Sequence, residues 1–242
     1  LSENMGKAME IVEGLIAGAK PDEAILENLK GDMLKSRADA KLNQSRCFGA
    51  LQRYLFYGGD FIRRTTLTDP ALQALTSEQL LAKIGGLMGK QHEVLYYGPQ
   101  KEAEVKSALA EHHKVAADLQ PLEKKFSTLL PTDANKVVLA QYDAKQLYYL
   151  QFSNRGEKFD VAADPEITLY NEYFGGGMNT IVFQEMREAR GLAYTAWATL
   201  ATPSNANGDY SYYAFIATQN DKMQKAVEAF DDIINNMPES EK

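Results

Sequence analysis

The stretch from Tyr173 to Tyr194, YFGGGMNTIVFQEMREARGLAY, constrains this chain more than any other. After Gly175, Gly176 and Gly177, the apolar residues Met178, Ile181, Val182 and Met186 recur at helical spacing, while Gln184, Glu185, Arg187, Glu188 and Arg190 take the opposite face. That predicts one amphipathic helix. The three glycines allow positive φ and a close approach of backbone to whatever lies opposite, and Gly191 suits a left-handed C-cap. Tyr194 opens an alternating, strand-like run, so Arg187 falls near the helix end and Tyr194 at the start of a strand. If that strand turns back along the helix, a guanidinium and a phenol can point into one cleft. Taken alone, the pair has a plainer reading: Arg187 pairs with Glu172, Glu185 or Glu188, and Tyr194 is one more strand aromatic.

The rest of the chain must say whether this is a catalytic centre. An inverted zinc motif, HxxEH, sets two histidines at i and i+4 on one helical face so that both imidazoles meet one ion, with a glutamate beside them. The histidines here are His92, His112 and His113. The nearest approach to the motif is Ala108-Leu109-Ala110-Glu111-His112, where the first histidine position holds Ala108. The motif is absent, and His92, His112 and His113 read as structural or solvent residues. No GxSxG nucleophile motif occurs, and the triple glycine lacks the GK[ST] ending of a phosphate loop. No metal ligands are assigned in this chain.

The 242 residues are 45% hydrophobic, enough for an ordinary core and one large or two small domains. A net charge of −7, with lysines and arginines scattered among more numerous acids, argues against nucleic acid as a partner. No run approaches the roughly 18 apolar residues of a membrane span. The single cysteine, Cys47, lies in a helical pattern with Leu51, Tyr54 and Leu55 and reads as core packing. Periplasm and cytoplasm both stay open as compartments.

Helical spacing from Met5 to Ile16 and again from Ile25 to Met33 places two helices around Pro21, and a third spans Ser45 to Tyr57 until Gly58 and Gly59 stop it. Thr76-Ser77-Glu78-Gln79 is a capping-box signature for a fourth, and Val105 and Leu109 mark another. Glu93 to Tyr97 reads as a lone strand. Residues 1–115 thus resemble the mostly helical, C-terminal part of an α+β domain. The pattern lapses over 116–135, which reads as a linker. In 136–242, Val137 to Tyr142 and Gln146 to Ser153 read as paired strands and Pro165 opens a helix into the triple glycine. Ala193 to Thr202 and Asp209 to Thr218 follow as strands around the Asn207-Gly208 turn, and Met223 to Met237 forms the last helix. The fold class expected is α+β, a mainly antiparallel sheet with helices packed on one face, in two partial domains of a longer protein.

Set within FGGGM, FQEMRE and RGLAY, the Arg187 and Tyr194 pair resembles the insulinase or pitrilysin group of zinc peptidases, which includes the mitochondrial processing peptidase and bacterial relatives. The resemblance is most specific over Tyr173 to Trp197, weaker from about Pro131 to the C-terminus, and diffuse before His113. It implies four related α+β domains in two halves that close like a clamshell, with HxxEH and zinc in the other half. By resemblance, Arg187 binds the scissile carbonyl and Tyr194 donates to the developing oxyanion. Gly175, Gly176 and Gly177 allow close backbone approach. The chain is then expected to be the non-catalytic half of a zinc endopeptidase, inactive alone, whose partners are a zinc-bearing half and a peptide substrate. The alternative is a structural or peptide-binding subunit of the same fold with no peptidase role.

Overall fold

The computed structural model describes residues 4–122 and 128–237. In chain order the helices are α1 (Met5–Gly18), α2 (Glu23–Lys41), α3 (Gln44–Thr65), α4 (Asp69–Gln73), α5 (Ser77–Leu87), α6 (Glu102–His112), α7 (Asp164–Phe174), α8 (Ile181–Phe183, continuing as a π-helix over Gln184–Ala189) and α9 (Met223–Asn235). The strands are β1 (Gln146–Ser153), β2 (Thr195–Ala201) and β3 (Ser211–Gln219). Two compact units result, one of Leu1–Asp39 with Thr66–Phe126, the other of Ala40–Thr65 with Ser127–Lys242.

The first unit is helical, and polar contacts pin its helices together. Thr76 caps α5 as its sequence predicts: its hydroxyl accepts from the Gln79 N–H, and the Gln79 side chain accepts from the Thr76 N–H. Glu23, in the first turn of α2, accepts from both the backbone N–H and the hydroxyl of Ser77, at 2.8 and 2.7 Å. Lys30, only 5% exposed, donates to Glu27 and to the carbonyl of Gln73. The buried apolar residues of this unit, among those described, are Leu26, Leu72 and Val105.

The strand expected at Glu93 to Tyr97 does not form, and Leu95 and Tyr97 lie fully in solvent. Nor does Val137 to Tyr142 become a strand; Val137 and Leu139 are exposed. Both have strand composition, but among the described residues neither has a neighbour to complete a hydrogen-bonded ladder, and an isolated strand is unstable in water.

The second unit is built on an antiparallel sheet in the order β1-β3-β2. Alternation along the strands sorts its faces. One face carries Tyr149, Ala196, Ala198, Tyr212, Ala214 and Ile216 against Phe174, Val182, Met186, Phe230 and Ile233 of α7, α8 and α9, and this is the core. Ala196, Ala198 and Ala214 leave room for the large helix side chains between the tyrosines and Ile216. The other face is aromatic: Phe48 and Phe56 of α3 pack on Tyr148, Phe152, Tyr213 and Phe215, with ring centroids 4.7 to 5.9 Å apart. Sequence order alone groups α3 with residues 1–115; its aromatic side chains pack on the sheet of the second unit.

The first helical segment of α3 ends at Gly58, as its sequence suggests. Gly58 kinks the helix at φ 77°, after which the helix resumes to Thr65. The kink frees the carbonyl of Phe56, and the backbone N–H of Leu130 takes it at 2.7 Å.

Candidate functional site

The sequence around Arg187 is helical as expected, but shorter and wound differently. Helical structure begins only at Ile181, and Met178, expected on the buried face, is 71% exposed. Val182 and Met186 are fully buried and anchor the segment in the core. From Gln184 the helix widens into a π-helix, seen directly in the hydrogen bond from the Arg190 N–H to the carbonyl of Glu185, at 3.1 Å. Such insertions occur often at functional sites.

The chain then turns back within four residues. Gly191 takes φ 56° and donates to the carbonyl of Arg187, the left-handed cap that its sequence predicts. The N–H groups of Leu192 and Ala193 both reach the Met186 carbonyl, and the Tyr194 N–H enters the sheet by donating to Ala217, at 2.9 Å. Arg190 ties the turn down by pairing with Glu185 and with Asp232 of α9.

This reversal brings Arg187 and Tyr194 together. The guanidinium carbon of Arg187 lies 5.3 Å from the centre of the Tyr194 ring and 5.0 Å from that of Phe183, within the range of a cation–π contact with both. Phe183 sits one helical turn before Arg187, and its role as a platform could have been found from that i, i+4 spacing. Arg187 is 42% exposed at its side chain and Tyr194 67% exposed overall. Arg187 forms an ion pair with Glu188 at 3.6 Å, one of the partners that the plainer reading names; among the described residues no ion pair joins it to Glu172 or Glu185. Among the described residues the guanidinium makes no hydrogen bond, and it lies over both rings.

The triple glycine divides its work unevenly. Gly175 is buried, and a Cβ there would run into the carbonyl of Ala198 on β2; the Gly175 carbonyl accepts from the Ala198 N–H at 3.2 Å. Gly176 lies over the last turn of α7, where a Cβ would come within 2.9 Å of the Asn171 carbonyl. Gly177 has open space around it, and none of the three takes positive φ. The close approach is thus of backbone to an edge strand, centred on Gly175. Asn171, which the sequence reading passed over, completes it: its side chain accepts from the Leu200 N–H at 2.8 Å and donates to the Leu200 carbonyl at 2.9 Å. Together these groups occupy the outer edge of β2 where a further strand would otherwise pair.

Among the described residues no group of three or more His, Cys, Asp or Glu is placed to hold a metal. His92, His112 and His113 lie in the first unit, and Arg187 and Tyr194 in the second. The described residues therefore do not fit a zinc centre. Among the described residues no helix is long and apolar enough to cross a membrane.

A family model described as the peptidase M16 inactive domain matches residues 90–240. No curated protein matches the chain. Among solved structures, the peptidase M16 inactive domain from Pseudomonas fluorescens is 17% identical with a TM-score of 0.63; the match covers 90% of this chain and 53% of that one. A mutant of the ferredoxin protease FusC, in complex with Arabidopsis ferredoxin, is 11% identical with a TM-score of 0.69, over 98% of this chain and 26% of that one. A conserved protein from Enterococcus faecalis is 16% identical with a TM-score of 0.53, covering 90% and 51%. The chain thus spans about half the length of the first of these structures and about a quarter of the second. At these identities the likeness is one of fold. With the family model matching more than half of its residues and the α+β architecture shared, the chain belongs to the peptidase M16 inactive-domain family.

Proposed function

We propose that this chain is the substrate-positioning half of a zinc endopeptidase, acting with another half that carries HxxEH and the zinc. The observation that carries the reading is the meeting of Arg187 and Tyr194 on one solvent-open surface, with the guanidinium edge free of hydrogen bonds within the described residues. Arg187 binds the carbonyl of the scissile peptide: contact with the rings of Phe183 and Tyr194 restrains the guanidinium before substrate arrives. Tyr194 donates its hydroxyl proton in a hydrogen bond to the carbonyl oxygen as negative charge builds there, an interaction stronger in the transition state than in the bound substrate. Neither residue supplies a nucleophile. The substrate class is a peptide or protein, a reading that the ferredoxin bound to the similar fold of FusC supports.

The competing reading makes the pair a packing contact in a subunit without peptidase work, and the same cation–π stack favours it. Tyr194→Phe separates the two, because it keeps the ring and removes only the hydroxyl. In reconstitution with the zinc-bearing half, the variant is expected to lower kcat by roughly 10²–10³-fold, with no change in the denaturation midpoint. Cleavage as fast as with the unchanged chain would leave the packing reading standing.

A further inference from the structure

The first unit contains a histidine cluster that the site above does not use. His92 and His113 face each other through their Nε2 atoms at 2.7 Å, with the rings nearly perpendicular. The outer nitrogen of each ring is already engaged. The Nδ1 of His92 lies 2.8 Å from the backbone carbonyl of Lys90, which can only accept, so this nitrogen carries a hydrogen. The Nδ1 of His113 contacts the carboxylate of Glu13 on α1. That carboxylate also accepts from the backbone N–H of Lys114 at 3.1 Å, and a carboxylate only accepts, so the hydrogen of this contact sits on the His113 Nδ1.

A neutral imidazole has one N–H. With both hydrogens on Nδ1, two neutral rings would present two bare lone pairs to each other at 2.7 Å, and two acceptors repel. The geometry is satisfied only when one more proton lies between them. We propose that His92 and His113 share a single proton between their Nε2 atoms, forming a proton-dependent clasp that joins α1, the turn at residues 90–92 and the end of α6. The clasp closes when the pair gains its proton and opens when it loses it.

The surroundings suit one added positive charge. From α1, Glu13 faces His113, and Glu10 accepts from His112 at 2.8 Å. From α6, Glu111 lies 3.8 Å from the other nitrogen of His112. The cations close in sequence are Lys90 and Lys114, of which Lys114 acts on Glu13 through its backbone N–H as well as its charge. His113 and Glu13 keep only 21% and 15% of their side-chain surface, so their contact is shielded from the solvent screening that weakens exposed pairs. The sign follows. The shared proton adds to the stability of the first unit only while the pair holds a single one: losing it, or gaining a second on the facing Nε2, opens the clasp.

The test is nitrogen-15 NMR of labelled histidine in the whole chain, with amide exchange at Lys114 and Gln91 followed across the same titration. The expected result is that both Nδ1 atoms show protonated shifts, the two Nε2 atoms show matched intermediate shifts, and one proton leaves the pair in a single step. That loss speeds exchange of the Lys114 amide by roughly tenfold or more, the scale of one charge-assisted hydrogen bond. His92→Phe keeps a ring but cannot share the proton, and should flatten this dependence. Independent titration of the two histidines, exchange indifferent to the titration, or shifts that reset only on adding a chelator would each overturn the proposal, the last by putting a metal ion where the proton is assigned.

Discussion

Two tyrosines two residues apart, Tyr210 and Tyr212, show how much the fate of one hydroxyl depends on its local partners. The hydroxyl of Tyr210 donates to the carbonyl of Asp160 at 2.9 Å and accepts from the Asp160 N–H at 3.1 Å, which pins the loop before α7 against the start of β3. That of Tyr212 is buried without a partner among the described residues, beside Tyr149 and Tyr170. A buried hydrogen bond contributes about 0.5–1.5 kcal/mol, whereas an unpaired buried hydroxyl has already lost its water and gained nothing. Tyr210→Phe is therefore expected to cost about 1 kcal/mol or more, because it also strands the Asp160 N–H, while the Asp160 carbonyl keeps the Ala163 N–H. Tyr212→Phe should be neutral or stabilising. Urea unfolding of the two variants side by side checks the contrast, and equal losses would contradict it.

At the scale of elements, β2 is held at its outer edge by Asn171 and Gly175 rather than by another strand. A methyl group on Gly175 meets the backbone of β2, which cannot yield as a flexible side chain would, and overpacking of this kind costs about 1–3 kcal/mol. Gly177→Ala is the control: with open space and no positive φ, it should stay within about 0.5 kcal/mol of the parent. Thermal or urea denaturation compares the two, and a Gly175→Ala variant as stable as Gly177→Ala would remove the reason for the glycine. The presence of tight glycines was legible in the sequence, but which of them lies against the strand was not, because that depends on where the chain returns after Gly191. The same limit explains the strands. β1, β2 and β3 were readable because each finds its partner within the chain, whereas Glu93 to Tyr97 and Val137 to Tyr142 have the composition and no ladder. Arg187 and Tyr194 could be placed together from helix, cap and strand alone. The widening into a π-helix over Gln184–Ala189 could not, since hydrogen-bond register within a helix leaves no periodic signature this short.

Across the whole molecule the ionisable groups with displaced proton affinities set opposite limits on stability. Glu23 is held below the usual carboxylate range by the Ser77 N–H and then its hydroxyl, Glu13 by His113, and Asp232 by Asn236 and then Arg190. Groups with depressed affinity contribute above their unfolded titration range, near pH 4, and that contribution is lost as the pH falls. Both units carry such groups, so acid weakens both. The alkaline limit differs. Burial pushes the phenols of Tyr149, Tyr170, Tyr212 and Tyr213 above their ordinary value, Tyr212 the furthest, and all four belong to the second unit. A raised phenol favours folding fully below about pH 10, where unfolded tyrosine begins to ionise, and the second unit loses that contribution as the pH climbs further. Phenolate absorbance followed through an alkaline titration should therefore show these four of the 13 tyrosines ionising late and together with unfolding of the sheet. Tyr212→Phe should make that unfolding less steep in pH, since one fewer proton is released with it. Ionisation of all 13 in one gradual, reversible phase while the sheet stays folded would show that burial does not hold these phenols neutral.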